Sequence, residues 1–178
     1  MVIDLQSCVG CGACSIACKN ENNLPEGVFW SNKITETSGT FPNVRYHYIP
    51  TLCNHCTEAP CVRGCPTTAM HKLDNGITMH DAKKCIGCRY CMFNCPYGVI
   101  YFNWQKPFKF WRNDKPVIKG CTSSPQELVQ KVNNGRGTPY YNPERDATLP
   151  GVRPKGVVEK CTFCDHRVKR GELPYCVE

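Results

Sequence analysis

No apolar run in this chain approaches the roughly 20 residues that cross a bilayer. Its opening residues, Met1-Val2-Ile3-Asp4-Leu5, carry no secretory-signal pattern. A soluble or peripheral chain is expected. Also missing is any nucleophile–base pair or phosphate-binding loop, so catalysis by the chain itself is not expected. The five histidines form no matching set. Apolar residues make up 41% of the chain, but 16 of its 178 residues are cysteines, which leaves only a modest aliphatic core. Small cores need staples. Disulfides serve that purpose in small secreted proteins, yet cysteines two residues apart close no long loop, and the spacing here repeats too regularly.

What is abundant is patterned cysteine. Cys8, Cys11, Cys14 and Cys18 follow C-x2-C-x2-C-x3-C, as do Cys85, Cys88, Cys91 and Cys95 with Pro96 behind them. Cys53, Cys56, Cys61 and Cys65 form a C-x2-C-x4-C-x3-C variant closed by Pro66, and Cys161, Cys164 and Cys176 make a fourth group near Glu178. Such runs bind [4Fe–4S] clusters: short spacers let one loop wrap three irons, and the fourth cysteine points away to another cluster. The geometry of the run pairs Cys53, Cys56 and Cys61 with Cys95, and Cys85, Cys88 and Cys91 with Cys65. By the same rule Cys161, Cys164 and Cys176 take Cys18. Cys8, Cys11 and Cys14 then need a ligand beyond Glu178. Fifteen cysteines thereby hold four [4Fe–4S] clusters, one of them incomplete within these residues.

Zinc is the main competitor, because Cys161-x2-Cys164 with Cys176 has the makings of a zinc knuckle. Three cysteines within seven residues, followed by a fourth and proline, do not give the two ligand pairs a zinc site uses. The formal charge of +7 suggests an anionic partner such as nucleic acid. However, metal-bound thiols are deprotonated. Ligand thiolates contribute about −15 and four cluster cores return about +8, so the loaded chain sits near neutrality and nucleic-acid binding is not expected. Metal binding is coupled to folding, so the metal-free chain is expected to be largely unfolded.

Cys121 fits no run and receives no role. His55 and His166, beside cysteines, read as hydrogen-bonding groups near clusters, and His47, His71 and His80 as surface residues. Val9, Ile86, Tyr90, Phe93, Tyr97 and Phe163 are expected to keep water from the metal, which tunes potential.

The expected fold class is α+β: two ferredoxin-like dicluster units, one inserted in the other, with long ordered loops. The inner unit spans residues 52–104. Ala69 to Leu73 and Ile77 to His80 read as strands about an Asn75-Gly76 turn, and Val99 to Phe102 as a further strand. Residues 1–22 with 161–178 form the outer unit, with a strand over Met1–Leu5 and a short helix from Cys14 to about Asn22. Residues 23–51 and 105–160 are insertions rich in turn residues and aromatics, the second holding Trp111, Tyr140 and Tyr141. They read as ordered loops, except for a helix start near Ser124 to Val132. Their expected work is docking a partner or shielding clusters.

The four cysteine groups resemble the four-cluster subunits of molybdopterin oxidoreductases, such as those acting on polysulfide, thiosulfate, dimethyl sulfoxide and arsenate. The resemblance rests on Cys8-Val9-Gly10-Cys11, Leu52-Cys53-Asn54-His55-Cys56, Ala59-Pro60-Cys61 and Glu159-Lys160-Cys161-Thr162-Phe163-Cys164-Asp165-His166-Arg167. Trp30, Gly39-Thr40-Phe41-Pro42, Tyr48-Ile49-Pro50-Thr51-Leu52 and Asn142-Pro143-Glu144-Arg145 look most like the small subunit of respiratory arsenate reductase. The resemblance implies a large catalytic partner with a molybdenum bis-pterin (bis-MGD) cofactor and a quinol-oxidising membrane subunit or cytochrome as electron donor. It also implies export with the partner to the periplasmic or extracytoplasmic face of the membrane. Family members begin slightly upstream of Met1 and continue past Glu178 to a last cysteine-proline. In some of them one cysteine of the third run is replaced and a three-iron cluster results; Cys88 is present here, so four irons are expected. The alternatives are a free-standing, cytoplasmic polyferredoxin and a zinc-stabilised interaction module.

Overall fold

The computed structural model describes residues 1–25, 27–104, 142 and 154–178. Cys121, Trp111, Tyr140, Tyr141 and the expected helix from Ser124 lie outside the described residues. Apart from α1, β1 and β2, the described elements are short. In chain order they are α1 (Ala13–Glu21), β1 (Ser31–Thr40), β2 (Asn43–Leu52), α2 (Pro60–Arg63), β3 (Met70–Lys72), β4 (Thr78–His80), α3 (Tyr90–Asn94), β5 (Ile100–Phe102), β6 (Val158–Lys160) and α4 (Asp165–Val168). The strands pair antiparallel as β1–β2, β3–β4 and β5–β6. An α+β arrangement of small sheets and short helices results.

Each helix follows cysteines, and three start from a left-handed residue. Gly12 (φ 76°) precedes α1, Arg89 (φ 62°) precedes α3 and Cys164 (φ 48°) precedes α4. Such residues turn the loop back on itself and aim successive backbone N–H groups into one concavity. Pro60 opens α2, where the ring's fixed φ suits a first helical residue.

The hairpin of β3 and β4 forms as expected, with a longer connection. Lys72 pairs with Thr78, and inside that pair the Gly76 N–H donates to Leu73 O at 2.9 Å while Leu73 N–H donates to Ile77 O at 2.9 Å. Only Gly76 of the turn takes positive φ (81°), so a glycine bulge replaces the tight two-residue turn.

Two expectations give way. Met1–Leu5 is not a strand: Asp4 accepts hydrogen bonds from Gln6 N–H at 2.9 Å and Ser7 Oγ at 2.7 Å, and this local turn competes with extended pairing. Residues 31–52 are not loop but a ribbon of two ten-residue strands joined through Phe41–Pro42. Ile34, Thr35, Thr37, Val44, Tyr46, Tyr48 and Ile49 supply the β-branched and aromatic content. Because all of β1 but Ser31 is exposed, no inside–outside alternation announces the strand.

Pairing of β5 with β6 sets Ile100 against Lys160, Tyr101 against Glu159 and Phe102 against Val158, which ties the residue 52–104 segment to the fourth cysteine group. Cysteines then form much of the core. Cys61 and Cys91 pack with Ala59, Met70, Ile100 and Val158, and Cys18 and Cys161 with Leu24 and Trp30. A core built from thiols has little purpose of its own.

Candidate iron–sulfur centres

Three cavities in the protein are each walled by four cysteines. Cys53, Cys56, Cys61 and Cys95 surround site A, about 340 Å³ including its mouth. Cys65, Cys85, Cys88 and Cys91 surround site B, about 290 Å³. Cys18, Cys161, Cys164 and Cys176 surround site C, about 340 Å³. In every case three cysteines come from one run and the fourth from another. Cys8, Cys11 and Cys14 form a separate stretch leading into α1, with Cys11 exposed.

The donors fit an iron–sulfur core. Among the described residues no three Cys, His, Asp or Glu side chains gather closely enough for a single ion. A tetrahedral zinc would draw its sulfurs to about 3.8 Å from one another. Here they stand around a space instead. Backbone N–H groups already point at sulfur: Met70 to Cys65 at 3.4 Å, Gly87 to Cys85 at 3.4 Å and Phe163 to Cys161 at 3.3 Å. Asn22 Nδ2 lies 3.7 Å from Cys18 Sγ. Such bonds suit thiolates more than thiols.

Each cavity also carries at least one buried polar atom with no partner among the described residues: Thr78 Oγ1 in site A, His80 Nε2 in site B, and Thr162 Oγ1 with the acceptor Asn22 Oδ1 in site C. A buried donor left unpaired costs about 1–3 kcal/mol. Cluster sulfides would accept from the two hydroxyls and the His80 ring nitrogen.

Charge makes the same demand. Burial, and then the neighbouring thiolates of Cys85, Cys65 and Cys61, pushes Cys91 up to about 12. Burial, with Cys53 and Cys164 adding to it, pushes Cys161 up to about 12. Burial and then Cys161, Cys164 and Cys176 drive Cys18 higher still. Four ionised thiols cannot share such a space without positive charge among them, which a cluster core supplies.

The sites adjoin one another in a row. Cys61 of site A bears electrostatically on Cys91 of site B, Cys53 of site A on Cys161 of site C, and Cys14 on Cys176 of site C. Within this row His55 accepts the Thr78 N–H at Nδ1 (3.0 Å), and its ring meets the Phe163 ring edge-on at 5.6 Å. Burial first, and Lys160 next, hold His55 down at about 4, so it is neutral.

Several expected placements change. His80 is half-buried against site B, not a surface residue, and burial with Lys160 brings it to about 4. His47 is exposed, while His71 is half-buried with Nδ1 3.2 Å from Ala69 O. Val9, Tyr90 and Phe93 line none of the three cavities, and Phe93 is 86% exposed and Val9 76%; Ile86 lines site B and Tyr97 site A, although both remain largely exposed. The reason is steric: when flanking cysteines turn inward, the residues between them turn out. Phe163 alone of that set is half-buried, in the wall of site C. Lys160, Glu21 and Thr78 were invisible as site residues, although Lys160 follows the apolar pair Val157-Val158, a run that foretells burial.

The 4Fe-4S dicluster domain family matches residues 44–110, which hold sites A and B. Along its full length the chain is 55% identical to the arsenate respiratory reductase iron–sulfur subunit of Shewanella sp., covering 76% of that protein. It is 38% identical to a putative dimethyl sulfoxide reductase iron–sulfur subunit of Halobacterium salinarum, over 99% of this chain and 60% of that one. It is also 38% identical to the iron–sulfur cluster-binding subunit of menaquinone reductase from Nitratidesulfovibrio vulgaris, over 94% of this chain and 58% of that one. The chain belongs to the iron–sulfur subunits of reductase complexes. It is an electron-transfer subunit, not a catalytic one. With a 4Fe-4S dicluster domain over residues 44–110 and iron–sulfur subunits as its relatives, it carries [4Fe–4S] clusters. An electron-transfer role needs no acid–base constellation.

Proposed function

We propose that this subunit relays electrons through four [4Fe–4S] clusters to a molybdopterin catalytic subunit of the arsenate respiratory reductase type. The observation that carries the reading is the set of three cavities, each walled by four cysteines from two runs. Sites A, B and C take one cluster each, and Cys8, Cys11 and Cys14 bind a fourth with one further ligand outside these fifteen cysteines. Electrons pass along the row from Cys8, Cys11 and Cys14 through sites C and A to site B, or in reverse. The 55% identity to an arsenate respiratory reductase subunit supports arsenate as the terminal acceptor of the complex.

On this reading residues 1–22 and 161–178 make one ferredoxin-like unit around residues 52–104. Glu21 of α1 reaching His166 of α4, at 2.7 Å, supports that pairing. The β1–β2 ribbon is a docking arm. Isolated two-stranded hairpins are marginal in water, and Phe41 at this one's tip is 92% exposed. A quinol-oxidising membrane subunit or a cytochrome supplies the electrons, and the complex works on the extracytoplasmic face. No helix among the described residues is long and apolar enough to cross a membrane.

The test is anaerobic purification with iron, sulfide and zinc assays and low-temperature paramagnetic resonance of the reduced protein. About sixteen irons per chain with interacting signals support four clusters. About twelve leave Cys8, Cys11 and Cys14 without one. Zinc without iron overturns the reading.

A further inference from the structure

Lys160 is only 1% exposed, one of the largest fully buried side chains in the described structure. It ends β6, immediately before Cys161 of site C, and its Nζ reaches across to site A. There Nζ lies 3.6 Å from Cys53 Sγ, and it also donates to Thr78 O in the wall of site A and to Cys161 O at 2.7 Å. An ammonium has three N–H donors, and the pocket offers two carbonyls and a sulfur. All three are acceptors. The match is to a charged lysine.

That charge has no carboxylate partner among the described residues. Glu159 is next in sequence, but neighbours on a strand face opposite sides, and its carboxylate accepts from Trp30 Nε1 at 3.3 Å and Asn103 Nδ2 at 3.0 Å. A buried cation without an anion is costly. The compensating negative charge available is that of the two cysteine sites: four thiolates around a core of about +2 leave about −2 per cluster, and each reduction adds one more.

We propose that Lys160 is a fixed positive charge shared by sites A and C, raising the reduction potential of both clusters and keeping the two close in potential. It rests on the cluster reading given above. A cation beside both sites stabilises the electron on either, so the transfer between them stays near level, whereas a cation on one site alone would trap the electron there. Site B lacks any contact with Nζ and is the internal reference. Lys160 is thus a positioning and tuning residue that never takes an electron itself.

The experiment is potentiometric titration of the assembled complex, followed by low-temperature paramagnetic resonance, in the parent, Lys160→Met and Lys160→Arg proteins. Signals are assigned by replacing one cysteine of each site in turn. In Lys160→Met the one-electron reduction of sites A and C should become about tenfold less favourable, ~59 mV lower for a one-electron couple. Site B should move by less than half as much, and Lys160→Arg should restore most of the loss. Unmoved potentials at A and C, an equal shift at all sites, or a shift at only one of the two overturns the proposal. If Lys160→Met does not retain its iron, Lys160→Arg decides: retention with near-parental potentials supports a need for charge, and loss of iron there overturns it. Iron and sulfide assays on the parent keep the two readings separate. A parent without iron defeats the cluster reading, while a loaded parent with unmoved variants defeats only the role of Lys160.

Discussion

Glu21 and His166 meet at 2.7 Å although 145 residues separate them, and the Glu21 side chain is almost wholly buried. Arg167 Nη1 adds a cation 3.9 Å from the other carboxylate oxygen. The contact fastens α1, which carries Cys14 and Cys18, to α4, which Cys164 immediately precedes. Asn142 reinforces it, donating from Nδ2 to Glu21 O at 3.0 Å and exchanging two hydrogen bonds with Asn23, at 2.9 and 2.7 Å.

Removing this fastener should loosen site C before any other. Glu21→Ala should destabilise the α1–α4 junction by about 2 kcal/mol, the size of a hydrogen bond to a charged group. Under chelator challenge, iron at Cys18, Cys161, Cys164 and Cys176 should leave first, while the resonance signals of sites A and B persist. Simultaneous loss from all sites would show that the contact is not local to site C.

Gly87 occupies a place no other residue fits. Its φ is +71°, and a Cβ there would lie 2.2 Å from Gly156 O on a neighbouring backbone. Gly87 N–H also donates to Cys85 Sγ. Gly87→Ala therefore meets strain and collision together, and about 1–3 kcal/mol of backbone strain is the expected minimum. Iron at site B should become labile and the melting temperature of the loaded protein should fall. An alanine variant with parental melting and a full cluster at site B would refute the tight packing.

Cys88 lines site B and lies at the exposed side of it. Cys88→Ala should convert that cluster to a three-iron form or abolish it, leaving sites A and C intact. The check is iron content with paramagnetic resonance, since a three-iron cluster is visible in the oxidised sample. Loss of every cluster together would contradict separable sites.

Stripping the iron should collapse most of the fold, because the cysteines sit where a core would. Circular dichroism before and after removal tests this, and an unchanged spectrum would rule it out. For any fold that survives, the pH dependence has a definite sign. Cys161 ordinarily ionises near 9.0 and is held near 12 when folded. A group whose folded value is raised stabilises the fold below its unfolded value and loses that contribution as pH climbs toward the folded one. Residual ellipticity of the iron-free chain should thus decline between about pH 9 and 12.

Docking through the ribbon is equally open to trial. Replacing residues 35–47 by a short turn should leave cluster content unchanged and abolish co-purification with the catalytic subunit. Retained association would place the interface elsewhere.

The residue spacing alone determined the chemistry. Cys53 to Cys65 and Cys85 to Cys95 specify loops short enough to ring a cube, and the rule that the fourth cysteine points away fixes which runs meet. These are local, covalent constraints, which is why sites A, B and C could be written down residue by residue before any fold was known. The hairpin around Gly76 was equally legible, since its turn chemistry is local. Tertiary structure decided what depends on distant neighbours. It turned the stretch from Ser31 to Leu52 into a ribbon whose exposed faces leave no alternation to read. It paired β5 with β6, two segments far apart along the chain. It buried Lys160 beside sulfur and half-buried His80 in the wall of site B, where a sequence alone would leave a lysine and a histidine in water. Burial of a charge is a property of its surroundings, and only the assembled structure brings Cys53, Thr78 and Cys161 around one ammonium.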